Sequence, residues 1–167
     1  VAISLASISY MAATGLGASA TIRIAQFIGQ RKPGMAREAG TSLFLLTMVF
    51  MVFTGLVYYF GRHLLPLAYT SEMEVLQIAA SLLVVATLFQ LPDGLQATAL
   101  GALRGAKDVR VPTAISFLAY YIIALPLEWF LGTHLGYGAI GVWLALAVGL
   151  TVSAWLLTLR FYRVVKA

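Results

Sequence analysis

The clearest candidate for chemistry in the sequence is a single carboxylate in the middle of a long apolar stretch. Asp93 follows Pro92 directly and lies three residues from both Gln90 and Gln96. Residues three apart are neighbours on one side of a helix, so the three polar side chains are expected to share a face. An ionisable group deep in a membrane is costly and in most cases faces a cavity or a partner. The pattern therefore predicts a cation or proton site at Asp93, with Gln90 and Gln96 lining its cavity.

Pro92 adds a second feature to this site. Proline cannot donate a hydrogen bond to the carbonyl of Leu88, which leaves an acceptor free beside the carboxylate. Broken helices with such free groups coordinate ions in many transporters. The carboxylate could bind Na⁺ through hard oxygen ligands or carry a proton, and the residues do not choose between the two. A structural aspartate, paired with a helix end or with a basic residue, is the alternative interpretation.

The composition places this site in an integral membrane protein. Of the 167 residues 61% are hydrophobic and 10% are charged, against about 25% charged residues in soluble domains. The net charge of +5 follows membrane topology, so no nucleic-acid partner is expected. The chain has no Cys, which excludes disulfides and thiolate metal sites. The common nucleotide-binding, protease, esterase and kinase motifs are absent, and no enzyme is predicted.

Five apolar segments are each long enough to cross the hydrocarbon core as a helix, which takes about 20 residues. They cover approximately residues 1–28, 42–60, 75–103, 112–131 and 139–159. The strict alternation of β-barrel strands is missing, and the connections are short. The sequence therefore predicts one all-α transmembrane bundle of five antiparallel spans that takes up residues 1–167.

Basic residues alternate along the connections and orient the bundle. They gather in the first connection, in the third connection and after the fifth span, whereas the second connection has only Arg62 and the fourth has none. The three basic groups are Arg31, Lys32 and Arg37, then Arg104, Lys107 and Arg110, and finally Arg160, Arg163 and Lys166. The positive-inside rule places these groups in the cytoplasm, with residue 1 near the outer face and the C-terminus in the cytoplasm. Asp108 is expected to form a salt bridge within the third, cytoplasmic connection.

Two further polar side chains lie within the predicted spans. Tyr10 lies within the first span and is a candidate for an aromatic wall of the Asp93 cavity, although packing alone also explains one aromatic ring there. Glu128 lies near the outer end of the fourth span, beside Trp129. We interpret it as an interfacial carboxylate, because aromatic and polar groups of this kind gather at membrane surfaces.

Several motifs follow one another along the chain. The third span and its connection read Phe89-Gln90-x-x-Asp93-Gly94-x-Gln96 and Gly101-x-Leu103-Arg104-Gly105-x-Lys107-Asp108-x-x-Val111-Pro112. The other spans contain Gly15-Leu16-Gly17-Ala18-Ser19-Ala20, Leu125-Pro126-Leu127 and Gly138-x-x-Gly141-Val142-Trp143-Leu144. In this order they resemble helices eight to twelve of the multidrug and toxic compound extrusion (MATE) transporters, prokaryotic branch. Val109 is a departure, since Thr usually follows the Lys-Asp pair in the family.

The resemblance implies both a fold and a function. The fold would be part of the C-terminal lobe of a twelve-helix antiporter in a bacterial inner membrane. Its expected partners are membrane lipid and the N-terminal lobe and seventh helix of the same protein. The function would be export of cationic amphipathic drugs in exchange for Na⁺ or H⁺ by alternating access, without a cofactor. The resemblance also implies that an acidic residue of the seventh helix completes the cation site of Asp93, and that Tyr10 lies near it.

Two alternative functions stay open at this point. A related flippase for lipid-linked or polysaccharide substrates would have the same fold. A non-transporting structural subunit of five helices would also fit the apolar segments.

Overall fold

The computed structural model describes residues 2–166, and this part of the chain is mostly helical, with no strand in it. Five helices follow one another, and each is long and apolar enough to cross a membrane. They are α1 Ala2–Gly29, α2 Pro33–Gly61, α3 Met73–Gly105, α4 Arg110–His134 and α5 Gly138–Val164. The predicted all-α bundle with five spans is therefore confirmed. The terminal residues Val1 and Ala167, which we predicted near the outer face and in the cytoplasm, lie outside the described residues.

The end of α1 shows how a helix can stop and the next begin within three residues. Arg31 has a left-handed backbone, with φ 58°. The N–H groups of Arg31 and Lys32 donate to the carbonyls of Ile28 and Phe27, at 3.0 and 2.9 Å. This pair of bonds is the Schellman motif, which usually has Gly at the left-handed position. α2 then starts at Pro33, because the first turn of a helix does not need the missing N–H.

The end of α3 repeats this motif with Lys107, at φ 62°. The N–H groups of Lys107 and Asp108 donate to the carbonyls of Arg104 and Leu103, at 3.0 and 2.9 Å. The carboxylate of Asp108 then accepts a hydrogen bond of 2.8 Å from Nε of Arg160, in the last turns of α5. We expected Asp108 to pair within its own connection, and the structure corrects this, because the turn directs the carboxylate towards α5.

α3 is the central helix and packs against α1, α2 and α5. Its approach to α1 depends on small residues. A Cβ atom on Gly101 would collide with the carbonyl of Gly17, and one on Gly105 would lie 2.6 Å from the carbonyl oxygen of Thr21. The Thr21 hydroxyl donates to the Gly101 carbonyl at 2.8 Å. Small residues at four-residue spacing thus let the two backbones touch, as is common in membrane bundles.

α4 departs from regular α-helical geometry in two places. Leu118–Ala124 and Phe130–His134 are π-helical. After the first of these segments, the Leu125 N–H donates to the carbonyl of Tyr120, five residues earlier. Pro126 follows, and it has no backbone N–H with which to continue a regular hydrogen-bond pattern. The π-helical segment Leu118–Ala124 therefore ends close to this proline.

The main buried cluster lies where α1, α2, α3 and α5 meet near their basic ends. Ile24, Leu103, Leu157 and Phe161 are fully buried there. Phe161 packs edge to face against Phe44, with ring centroids 5.2 Å apart. This cluster fixes the four helices at one end of the bundle and leaves the region around Asp93 free to form a cavity.

Candidate cation site

Asp93 lies on α3 beside an open cavity of about 370 Å³ that is lined by residues of four of the five helices. The carboxylate is half-buried. The wall is mostly apolar and aromatic, and its residues are Ile3, Ala6, Ser7 and Tyr10 of α1, Phe89 and Asp93 of α3, Tyr120 of α4, and Trp143, Leu146 and Leu150 of α5. The rings of Phe89 and Trp143 lie 5.5 Å apart, centroid to centroid. A single carboxylate is thus presented to a space with aromatic walls.

The carboxylate of Asp93 makes no ion pair with any described residue. Among residues 2–166 the one ion pair joins Asp108 to Arg160. Within residues 2–166, no group of three His, Cys, Asp or Glu side chains could hold a metal ion. A cation at Asp93 would therefore draw its other ligands from backbone carbonyls, from hydroxyl groups, from water or from other parts of the protein. This arrangement suits a weakly held cation or a proton more than a permanently bound metal.

Pro92 does not break the helix, because α3 is continuous from Met73 to Gly105. Our expectation of a broken helix is corrected here. The chemical consequence of the proline remains, since its nitrogen cannot donate to the carbonyl of Leu88. Next to this turn α3 packs closely on α2, where Gly94 lies against Met51 and Thr47. The carbonyl oxygen of Leu88 therefore lacks its usual helical donor, and it lies between one and two turns before Asp93.

Gln96 is connected to the cavity through Tyr120. The Tyr120 hydroxyl donates to Oε1 of Gln96 at 2.8 Å, and Gln96 is only 6% exposed. The amide therefore lies behind the wall, and the tyrosine ring forms the wall itself. Gln96 holds the orientation of Tyr120, and this contact joins α3 to α4 at the edge of the cavity.

Gln90 points in another direction, into the contact between α1, α2 and α3. Its Nε2 donates to Oγ of Ser9 at 2.9 Å and to Oγ1 of Thr54 at 3.3 Å, and Gln90 is 1% exposed. Tyr58 completes this cluster by donating to the carbonyl of Leu5 at 2.5 Å. A step of three residues turns a helix face by about 60°, so Gln90 and Gln96 point about 120° apart. The structure therefore places only Asp93, among the three polar residues, on the cavity.

Tyr10 lines the Asp93 cavity and also a second groove of about 370 Å³ between α1 and α3. This groove continues past Thr14 and Thr21 and reaches Arg104 at the basic end of the bundle. The ring of Tyr10 thus lies between the cavity and a path towards the predicted cytoplasmic side. The sequence offered Tyr10 as a wall residue but could not reveal the groove, because the groove depends on how α1 and α3 pack.

The residues of the third connection lie apart from Asp93. Eleven residues separate Asp93 from Arg104, which corresponds to roughly 16 Å of helix. Arg104 forms the far end of the second groove, while Lys107 and Arg110 are exposed. None of these three side chains lines the Asp93 cavity. They form a basic surface at the end of the bundle instead.

Sequence reasoning missed two kinds of residue at this site. Tyr120 was not identified as a residue of the cavity wall. Its position in the middle of an apolar span, six residues before Pro126, is a feature of the sequence that could have indicated this role. Beside the site, the contacts of Gln90 with Ser9 and Thr54 were also missed, because small hydroxyl residues are common in membrane helices and reveal a cluster only when their helices meet.

Comparisons with known proteins agree in the family they indicate. The family model described as MatE matches residues 1–130. A protein named "Probable multidrug resistance protein NorM" from Rhodopseudomonas palustris is 38% identical over 170 residues, which cover 99% of this chain and 36% of that protein. The protein of the same name from Mesorhizobium japonicum is 39% identical, with 98% and 36% covered. The chain thus spans little more than a third of the length of these relatives.

A similar structure is also known. The crystal structure of the eukaryotic MATE transporter AtDTX14 has a TM-score of 0.92 to this chain at 26% sequence identity. The match covers 99% of this chain and 38% of that one. The helical arrangement around Asp93 is therefore similar to that of a solved membrane transporter.

Proposed function

Because the chain belongs to the MatE family, as its motifs predicted, we propose that it is part of a cation-coupled multidrug exporter. In this proposal Asp93 is the group at which the coupling cation binds. The protein acts as a transporter rather than an enzyme and uses no cofactor besides that cation. Na⁺ and H⁺ are both compatible with a single carboxylate, so the proposal covers either.

The observation that carries this proposal is the position of Asp93 in its cavity. The carboxylate is half-buried and without an ion-pair partner among residues 2–166. A negative charge in apolar surroundings is unfavourable, so a cation or a proton that neutralises it is bound favourably. The remaining ligands would come from the rest of the protein, where an acidic residue of the seventh helix is the expected contributor.

The same cavity suits the proposed drugs. The walls contain the rings of Tyr10, Phe89, Tyr120 and Trp143. Aromatic faces attract organic cations, and apolar walls accept the rest of an amphipathic molecule. A cationic drug and the coupling cation would then compete for one carboxylate. Competition of this kind lets the entry of one ligand promote the release of the other, which is the requirement for antiport.

Transport would proceed by alternating access, with the five helices moving largely as one body against the rest of the protein. The groove from Tyr10 to Arg104 provides a path towards the predicted cytoplasmic side. In this orientation the basic connections face the cytoplasm of a bacterium, and the protein lies in its inner membrane. Lipid and the other lobe of the protein are the expected partners.

The test is Asp93→Asn in the full-length protein that contains this chain. We expect gradient-driven drug efflux from everted membrane vesicles to fall at least about tenfold, because the neutral amide of Asn has no negative charge to attract a cation and no carboxyl proton to exchange. Glu38→Gln is the matched control, since it neutralises an exposed carboxylate of α2 that does not line the cavity. Wild-type efflux by Asp93→Asn, at equal membrane abundance, would contradict the proposal.

A further inference from the structure

A groove of about 670 Å³ runs along α3 on a side away from the Asp93 cavity. We name it the Arg62 groove. It begins at Arg62 and His63, after α2, and continues along α3 past Gln77 to Val84. Asp93 is sixteen residues after Gln77, which places the two side chains about 160° apart around α3. The Arg62 groove and the candidate cation site therefore lie on nearly opposite faces of the central helix.

One end of the Arg62 groove is rich in hydrogen-bond donors. The guanidinium carbon of Arg62 lies 4.8 Å from the centroid of the Tyr59 ring, a cation–π contact. Its Nε donates to Nε2 of His63 at 3.1 Å. The two terminal nitrogens of Arg62 remain available, and a neutral His63 whose Nε2 accepts must have its proton on Nδ1. No carboxylate is among the residues that line the groove.

The rest of the groove, along α3, is lined mainly by apolar side chains. Met73 and Val84 both line it and are eleven residues apart, which corresponds to roughly 16 Å along α3. Between them lies Gln77, an exposed side chain whose amide has donors to offer. Ser81 is already engaged, because its hydroxyl donates to the backbone carbonyl of Gln77 at 3.1 Å. The groove thus has a cationic end at Arg62 and His63, and its wall along α3 is apolar with Gln77 and Ser81 among the apolar side chains.

We propose that the Arg62 groove binds one glycerophospholipid. The phosphate lies at Arg62 and His63, an ester carbonyl accepts from the Gln77 amide, and one acyl chain follows α3 to Val84. A forked guanidinium is well suited to a phosphate group. The lipid belongs to the leaflet that meets this end of the bundle, which is the outer leaflet in the proposed orientation.

A phospholipid fits better than the other possible occupants. A soluble anion would use the Arg62 end and leave the apolar part empty. A packed helix would bring apolar surface against Arg62 and Gln77, which is unfavourable without partners for them. Lipid chains are as apolar as the helix surface, so the acyl part alone cannot select an occupant. The preference for a phospholipid over other lipids must therefore come from the phosphate contact. The experiment accordingly compares a lipid that has a phosphate with one that has none.

The experiment uses the full-length protein that contains this chain, reconstituted in lipid nanodiscs. Two photoreactive probes with the same diazirine-bearing acyl chain are compared, one a phosphatidylethanolamine and the other a diacylglycerol. The first probe has no net charge, so general attraction to basic surfaces is small. We expect peptides within residues 73–84 to be labelled about fivefold more by the phosphatidylethanolamine, because only this probe has a phosphate that accepts charge-assisted hydrogen bonds from Arg62.

Variants then test the assigned contacts. Arg62→Gln should reduce this labelling to the diacylglycerol level, while Arg163→Gln, an exposed arginine near the end of α5, should leave it unchanged. If Arg62→Gln is not produced, Gln77→Leu on the exposed face of α3 should also lower the labelling. Equal labelling by both probes, no labelling of residues 73–84, or no effect of either variant would overturn the proposal. Asp93→Asn should retain full labelling whatever its efflux, so the two proposals fail independently.

Discussion

Removal of the Tyr120 hydroxyl should loosen the contact between α3 and α4 at the edge of the Asp93 cavity. That hydroxyl donates to Oε1 of Gln96 at 2.8 Å, and Gln96 is 6% exposed. Tyr120→Phe keeps the ring and deletes only the donor. The amide of Gln96 is then left with an acceptor that no other described side chain approaches as a donor.

The expected loss of stability follows from this burial. Hydrogen bonds between membrane helices contribute on average about 0.6 kcal/mol and at most about 1.7 kcal/mol. A buried acceptor left without a donor costs about 1–3 kcal/mol. Because Gln96 is too buried for water to replace the hydroxyl freely, we expect the free energy of unfolding to fall by about 1–2 kcal/mol. This corresponds to a change of roughly 5- to 30-fold in the ratio of folded to unfolded protein.

A double-mutant cycle with Tyr120→Phe and Gln96→Leu isolates this bond. The free energy of unfolding is measured for the full-length protein in mixed micelles with increasing amounts of denaturing detergent. We expect a coupling energy of about 1 kcal/mol between the two substitutions. Tyr121→Phe is the matched control, because Tyr121 is 60% exposed and should change stability by less than about 0.5 kcal/mol. Additive effects of the two substitutions, or an equal cost for Tyr121→Phe, would refute the reasoning.

Two further outcomes are expected in the full-length protein. Gly101→Ala should cost about 1–3 kcal/mol in detergent-induced unfolding, because its Cβ would meet the Gly17 carbonyl, whereas Gly15→Ala has open space and should be neutral or stabilising by up to about 1 kcal/mol. Equal effects of the two would contradict the close contact. Tyr10→Ala should join the Asp93 cavity to the groove that ends at Arg104 and raise drug-independent cation flux about severalfold in proteoliposomes. Tyr10→Phe keeps the ring and should have the cation flux of the wild type. A Tyr10→Ala variant whose cation flux equals that of the wild type would show that the ring is not a barrier.

The sequence predicted the helices of this fold well, because each apolar run is itself a membrane span. The position of Asp93 along its helix followed from the same counting. The surroundings of Asp93 could not be predicted in this way. Three-residue spacing suggested one shared face, yet the turn of about 60° per step directs Gln90 to α1 and α2 and Gln96 to α4.

Contacts between distant residues were beyond the reach of sequence patterns. Asp108 and Arg160 are 52 residues apart, and the sequence next to either residue does not predict their ion pair. Pro92 shows the opposite error. A proline within an apolar span led us to predict a broken helix, which the structure does not have. Proline removes one hydrogen bond, but packing of α3 on three neighbours keeps the helix continuous. Local propensity is thus reliable for the existence of these helices and less so for their detailed course.

The π-helical segment Leu118–Ala124 has a consequence for insertions and deletions in α4. Bonds to the fifth residue back enclose one residue more than bonds to the fourth, so this stretch accommodates an extra residue within a continuous helix. Loss of one residue here would convert the stretch to regular α-helix and leave the span able to cross the membrane. Glu128 and Trp129 would keep about the same direction relative to Tyr120, because the wider turn and the regular turn that replaces it both complete about one circuit of the helix. A single-residue gap at this point in a related sequence therefore leaves the same side chains facing lipid and the bundle, whereas a gap in a regular helix turns the following residues by about 100°.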